Sequence, residues 1–141
     1  IWCRLLPWGA IDFAPAGVSG CGKTDDPAVA VADGVIARSG ENIVMLDLDG
    51  DGDERTGWVV MYLHLAENGL IPQGVQVKAG DPLGYPSCEG GSATGTHVHI
   101  GRRYNGEWLA ADGVVPRGSL PDHRLRAIVP AAGLNPTLPD T

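Results

Sequence analysis

The chain has 141 residues, 43% of them apolar and 19% charged, with a formal net charge of −7. Such a composition fits one globular domain with a core and excludes a disordered chain. The acidic balance argues against a nucleic-acid partner, whose phosphates require a clustered basic surface, and no apolar run is long enough to span a bilayer as a helix.

The 21 glycines and 11 prolines are spread along the chain, which favours short strands joined by turns over long helices. The chain opens IWCRLL without Met, so residues upstream are expected. GAIDFAP (9–15) reads as a strand running into a Pro-Ala-Gly turn. Asp12 lies inside that apolar strand, where a carboxylate needs a cation or several donors to be tolerated. GVSGCGKT (17–24) then satisfies the phosphate-loop pattern G-x-x-x-x-G-K-[ST]. A phosphate loop must open a helix, yet the next residues are DDPAVAVADGVIARSG. Two carboxylates at the loop exit repel phosphate, and the alternation that follows reads as strand, turn at Asp33-Gly34, strand. No nucleotide-binding site is expected.

NIVMLDL (42–48) and GWVVMYLHL (57–65) are the two strongest strand patterns. In the second, Trp58, Val60, Tyr62 and His64 share one face by alternation, and Val59, Met61, Leu63 and Leu65 share the other, which is expected to be core. Between them, DLDGDGDE places Asp47, Asp49 and Asp51 as in the first half of a calcium loop, but Trp58 stands where the closing Glu belongs. Calcium at these three aspartates and a solvated hairpin turn are the two readings. GVQVKAGDPLGYP (74–86) is turn-rich, SCEGGSATG (87–95) is a loop, and THVHIGRRY (96–104) is a strand. The pairs Arg102–Arg103 and Arg124–Arg126 read as solvated surface. Residues 111–141 are rich in Pro and Gly and read as a tail or connector.

On the last strand His97 and His99 stand two apart, so both imidazoles project from one face, an arrangement that suits a zinc site or a metal beside a base. Only four histidines are present in the chain. The three cysteines, Cys3, Cys21 and Cys88, allow one disulfide and one spare thiol outside the cell, or three thiols inside it.

IDFAPAG, AVADGVIARSG, VVMYLHL, VQVKAGDPLGYPS and SATGTHVHIGRRYNGEW follow one another in the order and spacing of the lysostaphin-like zinc endopeptidases, which cut peptide cross-links in bacterial peptidoglycan. The chain resembles that family over residues 8–108, most specifically in VKAGDPLGY…TGTHVHI. The resemblance implies an all-β, loop-rich fold, an antiparallel sheet with a groove of the duplicated-hybrid-motif type, over residues 1–110. It implies that Asp12 and His99 are zinc ligands, that His97 is the general base toward the attacking water and that His64 helps stabilise the oxyanion. It further implies a peptidoglycan peptide as partner and a location outside the cytoplasm. Cys21 and Cys88 fall in glycine-rich loops at the two ends of the implied groove, where a disulfide between them is expected. Cys3 is then free or paired with another chain, so self-association through Cys3 or the tail is the further expectation.

One departure matters. The family carries its first zinc ligand as a histidine four residues before the aspartate, and Trp8 stands there. The missing ligand lies upstream of Ile1, or the domain is a catalytically degenerate relative that binds without cutting, or Cys3 or His123 substitutes. Zinc is therefore expected in the first and third cases. A peptidoglycan endopeptidase and a binding or assembly module are the two functions to be told apart.

Overall fold

The computed structural model describes residues 10–109. Trp8, Cys3, His123 and the 111–141 tail lie outside the described residues. Nine strands run in chain order: β1 (Ala10–Phe13), β2 (Ala28–Val29), β3 (Gly34–Gly40), β4 (Ile43–Asp47), β5 (Trp58–Leu63), β6 (Gln76–Val77), β7 (Pro82–Gly84), β8 (Val98–Tyr104) and β9 (Glu107–Leu109). Seven form one sheet in the order β1-β8-β5-β4-β3-β6, with β9 also on β8, and β2 and β7 pair as a separate ribbon. All pairings are antiparallel. The fold is all-β, as expected, and no helix among the described residues is long and apolar enough to cross a membrane.

Turn chemistry sets the registers. Glu41 and Asn42, at φ 54° and 65°, form the two-residue loop between the paired Gly40 and Ile43. Two successive left-handed residues match the twist of the flanking strands. Asn105 and Gly106, at φ 48° and 81°, do the same between Tyr104 and Glu107. Gly34 is dictated by close approach, since a Cβ there would collide with the Asp47 carbonyl oxygen across the β3–β4 pair.

The larger core lies on the sheet face that carries Val44, Leu46, Trp58, Val60, Tyr62 and Val98, all buried. Tyr62 also ties the ribbon side to the sheet, because its buried hydroxyl accepts the Val31 N–H at 2.9 Å. A smaller cluster of Met45, Val59 and Met61, with Leu63 and Trp108 against it, occupies the opposite face. The Val59–Met61–Leu63 face is thus core as expected, but the larger core lies on the face of Trp58, Val60 and Tyr62. Leu65 departs from the expectation, since it packs in the larger core with the residues it was expected to oppose. The cause is local: β5 ends at Leu63, and His64 takes a left-handed φ of 69°, which breaks the alternation.

Arg102 is a second correction. It is 3% exposed, beneath the sheet surface and 5.9 Å from the centroid of the Trp58 ring, and not solvated as its sequence neighbourhood suggested. Arg103 bonds Glu54 at 2.9 Å and stacks on Trp108.

Candidate metal centre

Strand β8 carries His97 just before its first residue and His99 within it, flanked by β5 on one edge and β1 on the other. Val98 points into the larger core, so the two histidines face the other way. Register then delivers the carboxylate. Asp12 is the direct partner of His99 across β1–β8, and Leu63 is its partner across β5–β8. Directly opposed residues share a face, so Asp12, His99 and the Leu63 end of β5 meet at one place.

There, Asp12 Oδ1 lies 2.7 Å from His99 Nδ1 and 3.8 Å from His97 Nε2. The donor atoms of Asp12, His97 and His99 all lie within 4.8 Å of one another. Burial pushes the Asp12 carboxyl up, but the His99 hydrogen bond and the three nearby imidazoles outweigh it and hold the group below the usual carboxylate range. His97 donates from Nδ1 to the Gly95 carbonyl at 2.7 Å. In the neutral ring this leaves Nε2, which lies 3.8 Å from Asp12 Oδ1, as the acceptor nitrogen.

His64 joins this group from the end of β5. Its ring centroid is 4.6 Å from that of His97 and 6.1 Å from that of His99. Its Nδ1 donates to the Glu89 carbonyl at 2.8 Å. Burial, together with the charges of His97 and His99, lowers its pKa, against the raising effect of Glu89 and Asp12. At neutral pH the ring is therefore neutral, with its proton on Nδ1. Donation from Nε2 to a developing oxyanion requires the protonated ring, in which both nitrogens donate.

One carboxylate oxygen and two imidazole nitrogens converging from a rigid sheet suit zinc, which takes N and O ligands in a tetrahedral set. The backbone carbonyl at the other ring nitrogen of His97 orients that imidazole toward Asp12, beside the donor pair. The residues present thus fit the metal, although the position four before Asp12 holds Trp8.

The rim of the site is tied together covalently. Cys21 and Cys88 form a disulfide with a Cα–Cα distance of 5.6 Å, as expected from their loops. Thr96 adds to the tie, its N–H bonding the Gly20 carbonyl at 2.8 Å and its hydroxyl the Gly22 carbonyl. The segment matching the phosphate-loop pattern is thus the turn after β1 that anchors one side of the rim. Sequence reasoning missed Ser87 and Glu89, which sit beside Cys88 and contact His64. A serine in a glycine-rich loop carried no signal of that contact.

Asp47, Asp49 and Asp51 also converge, their carboxylates within 4.8 Å of one another in the turn after β4. Backbone N–H groups already serve this turn: Gly52 and Asp49 donate to Asp47, Asp51 to Asp49, and Asp53 to Asp51. Asp47 is fully buried, and burial beside Asp49 raises its pKa to about 7.

Comparison with known proteins agrees with the geometry. The sequence model of Peptidase family M23 matches residues 14–111, a span that includes His64, His97 and His99 and begins just after Asp12. Protease LasA of Pseudomonas aeruginosa (strain UCBPP-PA14) is 38% identical over 65 residues, covering 41% of this chain and 15% of that protein. The chain thus spans a small part of the curated relatives it matches. Among solved structures, the M23 metalloprotease pseudoalterin from the deep sea superposes with a TM-score of 0.61 at 27% identity, over 74% of this chain and 60% of that one. The antimicrobial peptidase lysostaphin from Staphylococcus simulans gives 0.53 at 25% identity, over 72% of this chain and 39% of that one.

Proposed function

The chain belongs to peptidase family M23, and from that premise we propose that it is a zinc-dependent endopeptidase that hydrolyses peptide bonds in bacterial peptidoglycan. The observation that carries the reading is the convergence of Asp12, His97 and His99 on one point of the sheet. Asp12 and His99 would hold the metal, which when bound supplies Lewis-acid chemistry at the scissile carbonyl. His97, with Nδ1 engaged by Gly95 and Nε2 bare, is placed to accept a proton from the attacking water as general base. His64, its ring tilted against that of His97 with centroids 4.6 Å apart, would in its protonated form donate to the oxygen that gains charge. The edge strand β1, which carries Asp12, suits an extended peptide. The disulfide supports a location outside the cytoplasm, where such bonds persist.

A second reading, a groove that binds without cutting, is favoured by one specific observation, the tryptophan at position 8. Digestion of purified peptidoglycan separates the two. The enzyme releases new amino termini, and His97→Ala lowers kcat by about 10²–10⁴-fold, the usual share of a general base. A chain that binds peptidoglycan and releases none, with zinc supplied, is the binding module.

A further inference from the structure

Strand alternation assigns His64 to the wrong side of the sheet. Tyr62 faces the larger core and Leu63 the smaller cluster, so an unbroken β5 would carry His64 into the larger core, away from His97 and His99. The left-handed φ of 69° at His64 is what brings its ring across to 4.6 Å from His97, and Leu65 then returns to the larger core. A non-glycine residue keeps such a conformation only where its surroundings hold it.

Asn42 holds the neighbouring Leu65 through its carbonyl and its side-chain amide, and Ser87 holds His64 itself. Ser87 donates to the His64 carbonyl twice, from its N–H at 2.7 Å and from its hydroxyl at 2.8 Å. The same hydroxyl oxygen accepts the Glu89 N–H at 3.0 Å, and the Glu89 carbonyl accepts His64 Nδ1 at 2.8 Å. A closed circuit thus runs from the His64 backbone through Ser87 and Glu89 to the His64 ring. A carbonyl can only accept, so Nδ1 carries the proton. We infer that Ser87 is the positioning residue of the site, its hydroxyl fixing both the left-handed backbone of His64 and the Nδ1–H tautomer of its ring. Its consequence for turnover rests on the peptidase reading; the tautomer itself does not.

The test uses the full chain with ¹⁵N-labelled histidine and long-range nitrogen–proton NMR at about pH 8, with His64→Gln to identify the His64 signals. The expected wild-type pattern is a single Nδ1–H tautomer with a slowly exchanging ring proton. Ser87→Ala, which keeps the backbone N–H bond, is expected to give a mixture of tautomers and fast exchange, and Ser87→Thr to restore the wild-type pattern. On peptidoglycan, Ser87→Ala lowers kcat roughly 3- to 10-fold, the worth of one neutral hydrogen bond, with KM unchanged, and Ser87→Thr recovers it. A wild-type His64 pattern in Ser87→Ala, or an Ala-like pattern in Ser87→Thr, overturns the inference. Should Ser87→Ala not fold, a wild-type His64 without a slow Nδ1 proton overturns it equally. Absence of digestion by wild type removes the peptidase reading alone and leaves the tautomer result to decide on Ser87.

Discussion

Asp12 and His99 are register partners on adjacent antiparallel strands, with Oδ1 2.7 Å from Nδ1. Sheet register, and not a local motif, therefore sets the spacing of these two donors. If they hold the metal, Asp12→Ala and His99→Ala each weaken zinc binding by more than the roughly 10–100-fold that loss of an outer partner costs. His64→Ala leaves it nearly unchanged. Competition against a chromophoric chelator reads all three, and undiminished affinity in either of the first two removes the pair as ligands.

The Cys21–Cys88 bond closes a segment with a sequence separation of 67. Loop-closure entropy assigns such a crosslink about 4 kcal/mol. Replacing both cysteines by serine should lower the stability measured in urea by roughly 2–4 kcal/mol. The loss should concentrate on the two loops at the rim, where hydrogen exchange of the Thr96 amide reports it directly.

Tyr62→Phe removes the hydroxyl that accepts the Val31 N–H while keeping the ring in the core. An orphaned donor at this part-buried position costs about 1–3 kcal/mol, so a decrease of that order in chemical unfolding is expected. A neutral result would mean that water reaches Val31.

Asp47 predicts a pH effect whose sign is opposite to that of most carboxylates. Its pKa is about 7 in the folded chain against 3.8 ordinarily, so the folded state binds the proton more tightly than the unfolded one. The stability it contributes is whole below about pH 4 and is lost as pH rises toward 7, a change on the order of a few kcal/mol. His64 acts in the other direction, since its lowered pKa makes the chain gain stability as pH rises through the ordinary histidine range. The difference between wild type and Asp47→Asn, measured in chelator from about pH 5 to about pH 8, isolates the aspartate. A difference that does not change with pH would remove it as the cause.

Much of this is legible in the sequence, and what is not has physical reasons. Alternation marked β4, β5 and β8, and the pair His97–His99 with Asp12 was visible as chemistry on strands. The strand β9 was not anticipated, although Asn105-Gly106 is the two-residue turn that hairpins favour. The resemblance named His64 as a site residue, whereas an unbroken strand pattern puts it on the other face; it reaches the site because that pattern breaks. Backbone sign at one residue is set by partners such as Ser87, 23 positions away, and periodicity carries no trace of it. Arg102 was hidden for a related reason, as its burial depends on Trp58 from another strand.

The distance along the chain between Asp12 and His99, 87 positions, has a consequence for assembly. β8 is bordered by β5 on one edge and by both β1 and β9 on the other. Among the described strands, the one that holds the histidines is made after all but β9. Non-local pairings of this kind form slowly, since closure entropy is spent before contacts return it. During synthesis Asp12 waits on an unpaired edge until His99 has emerged. Until the sheet is nearly complete, the groups gathered at this site do not meet.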